Sequence, residues 1–205
     1  MSDIDICLFT KDSLFCDIAV DFLKRNFLNY KIVKNEPEHI DNTSIFKKKF
    51  DYILAFLYPK MIPEKILKNA RKAAINFHPG PPKYPGIGCF NFAVYNQEKT
   101  YGVTAHLMEK KVDTGKIIGV KTFPLPESFS VSELSVEAYE HMKVLFSESM
   151  DFIIANKALP EIDEKWQRRP YTRKELEALC KIDLNMTRDE VNKRIKATAY
   201  PGMPG

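Results

Sequence analysis

The sequence lacks the features that mark a membrane or exported protein. It contains no run of about 18 apolar residues, the length that a membrane-spanning helix needs. The N-terminus reads Met-Ser-Asp-Ile-Asp-Ile, without a basic segment followed by an apolar stretch, so it does not resemble a signal peptide. We therefore expect a cytoplasmic protein that does not interact with a membrane.

Several kinds of chemistry are also unsupported by the sequence. The four cysteines form no Cys-x-x-Cys pair, and no cluster has metal-ligand spacing, so we expect neither a disulfide framework nor a metal. Gly-x-Gly-x-x-Gly, phosphate-loop and Gly-x-Ser-x-Gly motifs are missing, which argues against dinucleotide, P-loop and serine-hydrolase chemistry. The net charge of +4 comes from scattered residues without an aromatic-lined basic stripe, so we expect no nucleic-acid partner.

What is present is the composition of an ordinary globular protein. Hydrophobic residues make up 44% and charged residues 28% of 205 residues, enough for one sizeable domain. Leu159-Pro160 interrupts the pattern, so we assign residues 1–158 to a main domain and residues 159–205 to a linker and C-terminal extension.

The first half of the chain alternates strand and helix patterns. Apolar strands are predicted at 4–9, 30–33, 52–57 and 73–77, and helices at 14–23, 45–50 and 63–70. This alternation predicts an α/β fold with a mostly parallel, Rossmann-like sheet and helices on both faces. Two further strands, at 101–108 and 117–123, precede a long amphipathic helix at 131–155. Short helices at 173–180 and 187–197 form a small C-terminal helical extension.

The densest group of reactive side chains follows the predicted strand 73–77. Side chains alternate along a strand, so Asn76 and His78 point to one side, just before a loop rich in proline and glycine. Ligands of such sheets bind beyond the carboxyl ends of the strands. An amide donor beside an imidazole suits acyl transfer, with histidine taking a proton and asparagine stabilising an oxyanion. The alternative is structural: His78 caps a turn and Asn76 bonds the backbone.

A second candidate is Asp113, in the loop between the strands 101–108 and 117–123. Its carboxylate could orient or charge the histidine, or it could simply form an Asx-turn before Thr-Gly. His106 lies within an apolar strand and is interpreted as structural. His39 and His141 are interpreted as surface residues.

Three blocks of residues, in order and spacing, resemble the folate-dependent formyltransferase family. They are 76–86 (NFHPGPPKYPG), 101–108 (YGVTAHLM) and 112–118 (VDTGKII). The family includes glycinamide ribonucleotide formyltransferase, methionyl-tRNA formyltransferase and the nucleotide-sugar N-formyltransferases. The resemblance implies the Rossmann-like formyltransferase fold, 10-formyltetrahydrofolate as formyl donor, and a catalytic trio at Asn76, His78 and Asp113.

The resemblance also implies where the ligands bind. The folate pocket of the family lies beside the strand before the first block and the loop before the aspartate, which here gives Phe56, Leu57, Tyr58, Lys60, Met61, Ile62 and Val112. Lys83, Tyr84, Pro85 and Gly86 are expected to contact the acceptor. One departure concerns the first block: many members read Asn-x-His-Pro-Ser-Leu-Leu-Pro, whereas this chain has Gly80-Pro81-Pro82.

The tail of the chain suggests the acceptor. Residues 166–174, with Ile182-Asp183 and 194–202, are similar to the tail of the sugar N-formyltransferases. We therefore expect a nucleotide-linked sugar, specifically a dTDP-4-amino-4,6-dideoxyhexose, and a role in O-antigen or lipopolysaccharide biosynthesis. The alternatives are glycinamide ribonucleotide formylation in purine synthesis, hydrolytic release of formate from the folate, and a binding module with a degenerate site.

Two further expectations concern the resembled group as a whole. The family usually continues past the Pro-Gly near residue 202, so a short terminal hairpin is expected to be missing. Homodimers are common in this group, although the sequence itself reveals no interface.

Overall fold

The fold was obtained as a computed structural model that describes residues 1–34 and 48–200. Within these residues the centre is a six-stranded sheet in the order β2-β1-β3-β4-β5-β6. Its strands are β1 (Ile6–Thr10), β2 (Tyr30–Lys34), β3 (Phe50–Phe56), β4 (Ala70–His78), β5 (Thr100–Leu107) and β6 (Ile117–Pro124). The helices are α1 (Leu14–Asn26), α2 (Glu64–Leu67), α3 (Cys89–Tyr95), α4 (Val131–Ile154), α5 (Arg173–Leu179) and α6 (Arg188–Thr198).

The first four strands are parallel, whereas β5 and β6 join the sheet antiparallel. Along β1, alternate side chains enter two separate hydrophobic clusters, as expected for a strand buried on both faces. The larger cluster packs against α1 and α4, and the smaller one packs against α2. The predicted α/β class with helices on both faces is confirmed, with the refinement that two of the five strand pairings are antiparallel.

Local capping explains where several helices begin. The hydroxyl of Ser13 accepts a hydrogen bond from the Phe15 amide, so Ser13 is the N-cap of α1. The long helix α4 starts with a reciprocal capping box between Ser130 and Glu133. These polar caps satisfy amides that the first helical turn leaves unpaired. Among the described residues, no helix combines the length and apolar character that crossing a membrane requires.

Two helix predictions need correction. The predicted helix 63–70 is reduced to the single turn α2, because Ala70 already pairs with Phe50 in the sheet and β4 extends to His78. Of the predicted helix 45–50, residues 45–47 lie outside the described residues, as does His39. Phe50 itself begins β3, where its side chain is buried in the smaller cluster. In both cases strand pairing outcompetes a local helical pattern.

The C-terminal extension packs on the main domain. The Asn91 amide in α3 donates to the carbonyl of Ala197 in α6. Arg194 of α6 donates to three carbonyls at the end of α5 and pairs with Glu190. The division of the chain at residue 158 stays a prediction, since the extension contributes Leu179 and Ala197 to the same hydrophobic core.

Candidate active site

The candidate site lies at the carboxyl end of β4. Asn76 pairs in the sheet with His106 of β5, and His78 pairs with Thr104. Asp113 follows in the loop between β5 and β6. The sheet therefore brings two histidines, an amide and a carboxylate to the edge where ligands of parallel sheets bind.

Asp113 is the centre of this cluster. Its Oδ2 lies 3.2 Å from His78 Nδ1 and accepts a 2.7 Å hydrogen bond from the Gly86 amide. Its Oδ1 lies 3.1 Å from His106 Nε2 and 3.4 Å from Asn76 Nδ2. The side chains of His78, His106 and Asp113 are buried, whereas Asn76 is half-exposed. The predicted trio is thus brought together, with Asn76 as the member that faces outward.

The electrostatics favour an ionised Asp113. Burial alone raises the pKa of a carboxyl group, but His78, His106 and the Gly86 amide outweigh it and hold the pKa of Asp113 well below its usual range. Both carboxylate oxygens are engaged by site groups rather than by the neighbouring backbone. This arrangement disfavours the interpretation of Asp113 as a simple turn former.

Backbone carbonyls fix one proton on each imidazole. His78 Nε2 lies 2.9 Å from the Tyr84 carbonyl, and His106 Nδ1 lies 2.8 Å from the Leu107 carbonyl. A carbonyl only accepts, so each of these nitrogens donates. The contact between His78 Nδ1 and ionised Asp113 is then a hydrogen bond only if His78 is an imidazolium. At His106, Nε2 can instead accept from the Asn76 amide, 3.1 Å away.

His106 was assigned a structural role from the sequence, and the structure places it inside the cluster. Its apolar neighbours in β5 conceal this position, because the strand is buried along almost its whole length. The register between β4 and β5 explains this position. An antiparallel partner of β4 must place one residue opposite Asn76, and that residue is His106.

The loop after His78 is held close to the cluster. Thr104 Oγ1 donates to the Gly80 carbonyl, and the Tyr101 hydroxyl donates to the Pro79 carbonyl. A Cβ atom at Gly80 would lie 2.6 Å from His78 Nε2. The departure from the family's usual serine at this position therefore allows the loop to lie directly against the histidine.

The four residues predicted to contact the acceptor divide by location. The Tyr84 side chain is only 1% exposed and its ring stacks near Tyr171, and its contact with an acceptor stays a prediction. Pro85 is also buried, and the Gly86 amide is used by Asp113. Lys83 is exposed but paired with Glu98. Tyr84 and Gly86 therefore position His78 and Asp113, and an acceptor contact by Lys83 stays a prediction.

We expect Tyr84→Phe to destabilise this loop. The Tyr84 hydroxyl donates to Glu98 and accepts from the Asn96 amide. Burial, followed by the neighbouring Glu98, raises the pKa of Tyr84, so the hydroxyl remains protonated and able to donate. Its loss should lower the free energy of unfolding by about 1–3 kcal/mol, measured by urea denaturation. An unchanged unfolding curve would show that the hydroxyl adds nothing to the loop.

The predicted folate residues divide into three groups. Phe56 is fully buried, with its ring centroid 5.3 Å from that of Phe146, and Ile62 packs in the smaller cluster. These two side chains are placed to support a pocket from beneath, and their contact with folate stays a prediction. Met61 and Val112 are 65% and 43% exposed, so both are free to contact a ligand. The remaining three, Leu57, Tyr58 and Lys60, lie on the segment that leaves β3, and contact with folate stays a prediction.

Gly115 allows the Asp113 loop to lie against the end of β5. A Cβ atom at this position would lie 1.9 Å from the Leu107 carbonyl oxygen, which no side chain can accommodate without movement of the backbone. We therefore expect Gly115→Ala to lower the free energy of unfolding by about 1–3 kcal/mol and to reduce activity by displacing Asp113. Urea denaturation and steady-state rates test this expectation, and a variant that matches the wild type in both would contradict it.

A segment of the C-terminal extension, here called the strap (residues 166–171), runs along the active-site loop. The Gln167 amide donates to the Pro82 carbonyl, and the Tyr171 amide donates to the Pro85 carbonyl. In return, the Ile87 amide donates to the Tyr171 carbonyl. The Tyr171 ring stacks on Phe92 of α3 at 3.7 Å between centroids. The extension therefore forms one wall of the site.

Comparison with curated proteins identifies relatives of this chain. The chain is 30% identical over 184 residues to the bifunctional polymyxin resistance protein ArnA of Wigglesworthia glossinidia brevipalpis, covering 87% of this chain and 28% of that protein. It is 26% identical over 181 residues to methionyl-tRNA formyltransferase of Enterococcus faecalis, covering 85% and 57%, respectively. The chain thus spans less than two thirds of the length of either relative.

Solved structures share the fold. A likely sugar N-formyltransferase from Mycobacterium tuberculosis, Rv3404c, superposes with a TM-score of 0.77 at 19% identity, covering 98% of this chain and 89% of that one. The N-formyltransferase of Helicobacter canadensis, solved with folinic acid and dTDP-3-aminofucose, gives 0.73 at 18% identity, covering 95% and 80%. HypX of Aquifex aeolicus, solved with tetrahydrofolic acid, gives 0.74 at 18% identity, covering 100% and 35%.

A family model settles the relationship. Residues 18–148, well over half of the chain, match the model described as formyl transferase. This match includes all three blocks from which the sequence predicted the family, and it includes Asn76, His78, His106 and Asp113. The chain belongs to the formyl transferase family.

Proposed function

We propose that this protein transfers a formyl group from 10-formyltetrahydrofolate to the amino group of a nucleotide-linked sugar. The observation that carries the proposal is the convergence of Asn76, His78 and His106 on the buried, ionised Asp113 in a chain of this family. The solved N-formyltransferase with folinic acid and a dTDP-linked amino sugar shares its fold. This chain covers only about half of the length of the methionyl-tRNA formyltransferases to which it is also related.

The proposed reaction is an attack of the sugar amine on the formyl carbon. The carbonyl oxygen becomes an oxyanion. The amide of the half-buried Asn76 stabilises it by turning one of its hydrogens from His106 or Asp113 towards the substrate. The amine loses its proton to a water that Asp113 orients. The oxyanion then re-forms the carbonyl, the carbon–nitrogen bond to the folate breaks, and the relayed proton goes to the folate nitrogen.

The arrangement refines the expected role of His78. A histidine whose two ring nitrogens both face hydrogen-bond acceptors is poorly placed to take a proton from the amine. In this structure Nδ1 faces Asp113 and Nε2 faces the Tyr84 carbonyl. We therefore propose that His78 donates to groups of the site rather than taking the proton, and that Asp113 orients a water that relays it.

For the acceptor, we propose a dTDP-4-amino-4,6-dideoxyhexose. Support comes from the C-terminal extension, which packs against the active-site loop, and from the sugar N-formyltransferases that this chain covers over 89% and 90% of their length. Because two similar structures concern 3-amino sugars, the position of the amine is the finer point to test.

The deciding experiment is an end-point assay by mass spectrometry. The protein is incubated with 10-formyltetrahydrofolate and, in parallel reactions, with dTDP-linked 4-amino and 3-amino sugars and with glycinamide ribonucleotide. A gain of one formyl group on a sugar nucleotide would support the proposal and identify the amine. A product from glycinamide ribonucleotide alone would overturn the acceptor. Formate release without any formylated amine would indicate a hydrolase.

A further inference from the structure

Trp166, the only tryptophan of the chain, contacts both histidines of the site. Its ring centroid lies 5.1 Å from that of His106 and 5.9 Å from that of His78, and it is nearly perpendicular to both rings. Trp166 itself is half-buried, whereas the two imidazoles beneath it are almost fully buried. The indole therefore lies between the histidine pair and solvent.

The indole also holds the loop that carries Asp113. Its Nε1 donates a 2.9 Å hydrogen bond to the Gly115 carbonyl, two residues beyond the carboxylate. Asp113 has a left-handed backbone conformation, with φ of +46°, which costs a non-glycine residue energy and persists only when its surroundings enforce it. The bond to Gly115 is one contact that can enforce it.

The other residues of the strap hold Trp166 in place. Backbone hydrogen bonds at Gln167 and Tyr171 attach the strap to the loop after His78. Arg168 stacks over the Tyr171 ring and pairs with Glu175. Trp166 therefore links two loops, one after β4 and one after β5, whose side chains must meet for the cluster to form.

We propose that Trp166 is a positioning residue of the active site, which fixes the Asp113 loop through its N–H and shields the histidine pair from water through its ring. This inference rests on the proposed function. Without the shield, water competes with the amine for the formyl carbon. Addition of water to the formyl carbon breaks the bond between this carbon and the folate nitrogen. The nitrogen takes up a proton, and formate and tetrahydrofolate are released.

Two substitutions separate the two parts of this role. Trp166→Phe keeps an aromatic ring but removes the bond to Gly115, and Trp166→Leu removes both. Lys165→Ala is the matched control, because the neighbouring Lys165 side chain is 85% exposed and pairs with exposed Asp163. Three quantities are measured for each: kcat and KM for transfer, the ratio of formate to formylated sugar, and amide hydrogen exchange in residues 109–116.

We expect Trp166→Phe to lower kcat by about 3- to 10-fold, the effect of one lost hydrogen bond, with faster exchange in residues 109–116. Trp166→Leu should lower kcat by about 100-fold through misplacement of the carboxylate and should raise the formate ratio. KM should change little in both, and Lys165→Ala should match the wild type throughout. A merely structural tryptophan would lower the amount of folded protein without changing the formate ratio.

The inference is overturned if both Trp166 variants show wild-type exchange in residues 109–116, or if transfer and formate release fall in equal proportion. The exchange measurement needs no substrate. It therefore supports or overturns the positioning role even if the wild-type protein formylates no amine, which is the separate result that would reject the proposed function.

Discussion

Replacing Asp113 by asparagine should lower kcat for formyl transfer by about 10²–10⁴-fold, the range that a positioned proton-transfer group contributes. Asparagine has nearly the same shape, so the loop can keep its path, but the amide carries no charge. His78 then loses its anionic partner, and the proposed proton relay loses the carboxylate that orients it. The binding of folate, which involves other residues in this proposal, should change little.

The effect of Asp113→Asn on the free energy of unfolding should also depend on pH. The pKa of Asp113 is lower in the folded protein than the value of about 3.9 in an unfolded chain. Ionisation of Asp113 therefore stabilises the fold above about pH 4, and this stabilisation is lost as the pH falls towards the folded-state pKa. The difference in free energy of unfolding between wild type and Asp113→Asn should shrink below about pH 4.

Steady-state kinetics and urea denaturation across pH test these expectations. Asp163→Asn is the control, since the Asp163 side chain is 96% exposed and distant in sequence from the trio. A folded Asp113→Asn variant that retains more than a tenth of wild-type kcat would return Asp113 to a structural role in the loop.

Replacing Asn76 by alanine should lower kcat by about 10²–10³-fold, the cost of removing one oxyanion donor. Asn76 is the half-exposed member of the trio, and its amide lies 3.4 Å from Asp113 Oδ1 and 3.1 Å from His106 Nε2. The loss should appear in kcat rather than in KM, because an oxyanion exists only as the transition state is approached.

Asn29→Ala provides the control for this variant, because Asn29 makes an exposed hydrogen bond to Asp3 far from β4 along the chain. Single-turnover measurements with saturating folate and sugar would isolate the chemical step from binding. If Asn76→Ala folds normally and transfers formyl groups at nearly the wild-type rate, the oxyanion is stabilised by another group.

The sequence predicted the features that depend on short-range pattern. The alternation of apolar strands and helices gave the α/β class, and the period of two along β4 placed Asn76 and His78 on one side. The order of three blocks gave the family. These features are encoded locally, in residues that are neighbours along the chain or along one strand.

Features that depend on contacts between distant segments were missed. The position of His106 follows from the register between β4 and β5, and an apolar strand gives no sign of which residue faces the partner's asparagine. Tyr84 looked like a loop residue available to substrate, yet its hydroxyl is bound by Glu98 and Asn96 from beyond α3. The contact of Trp166 with the histidines joins residues that are 60 to 88 positions apart along the sequence.

The strap also determines when the protein can become competent during its synthesis. The last strand of the sheet ends at Pro124, and α4, which packs on the sheet, ends at Ile154, so both leave the ribosome before the strap. The backbone pairing of Tyr171 with Pro85 and Ile87 cannot form until residues 166–171 have emerged. A nascent chain can therefore contain most of the sheet while the strap is still absent from the side of the candidate site. Packing of the strap against the loop after His78 is then the last step in assembling this site.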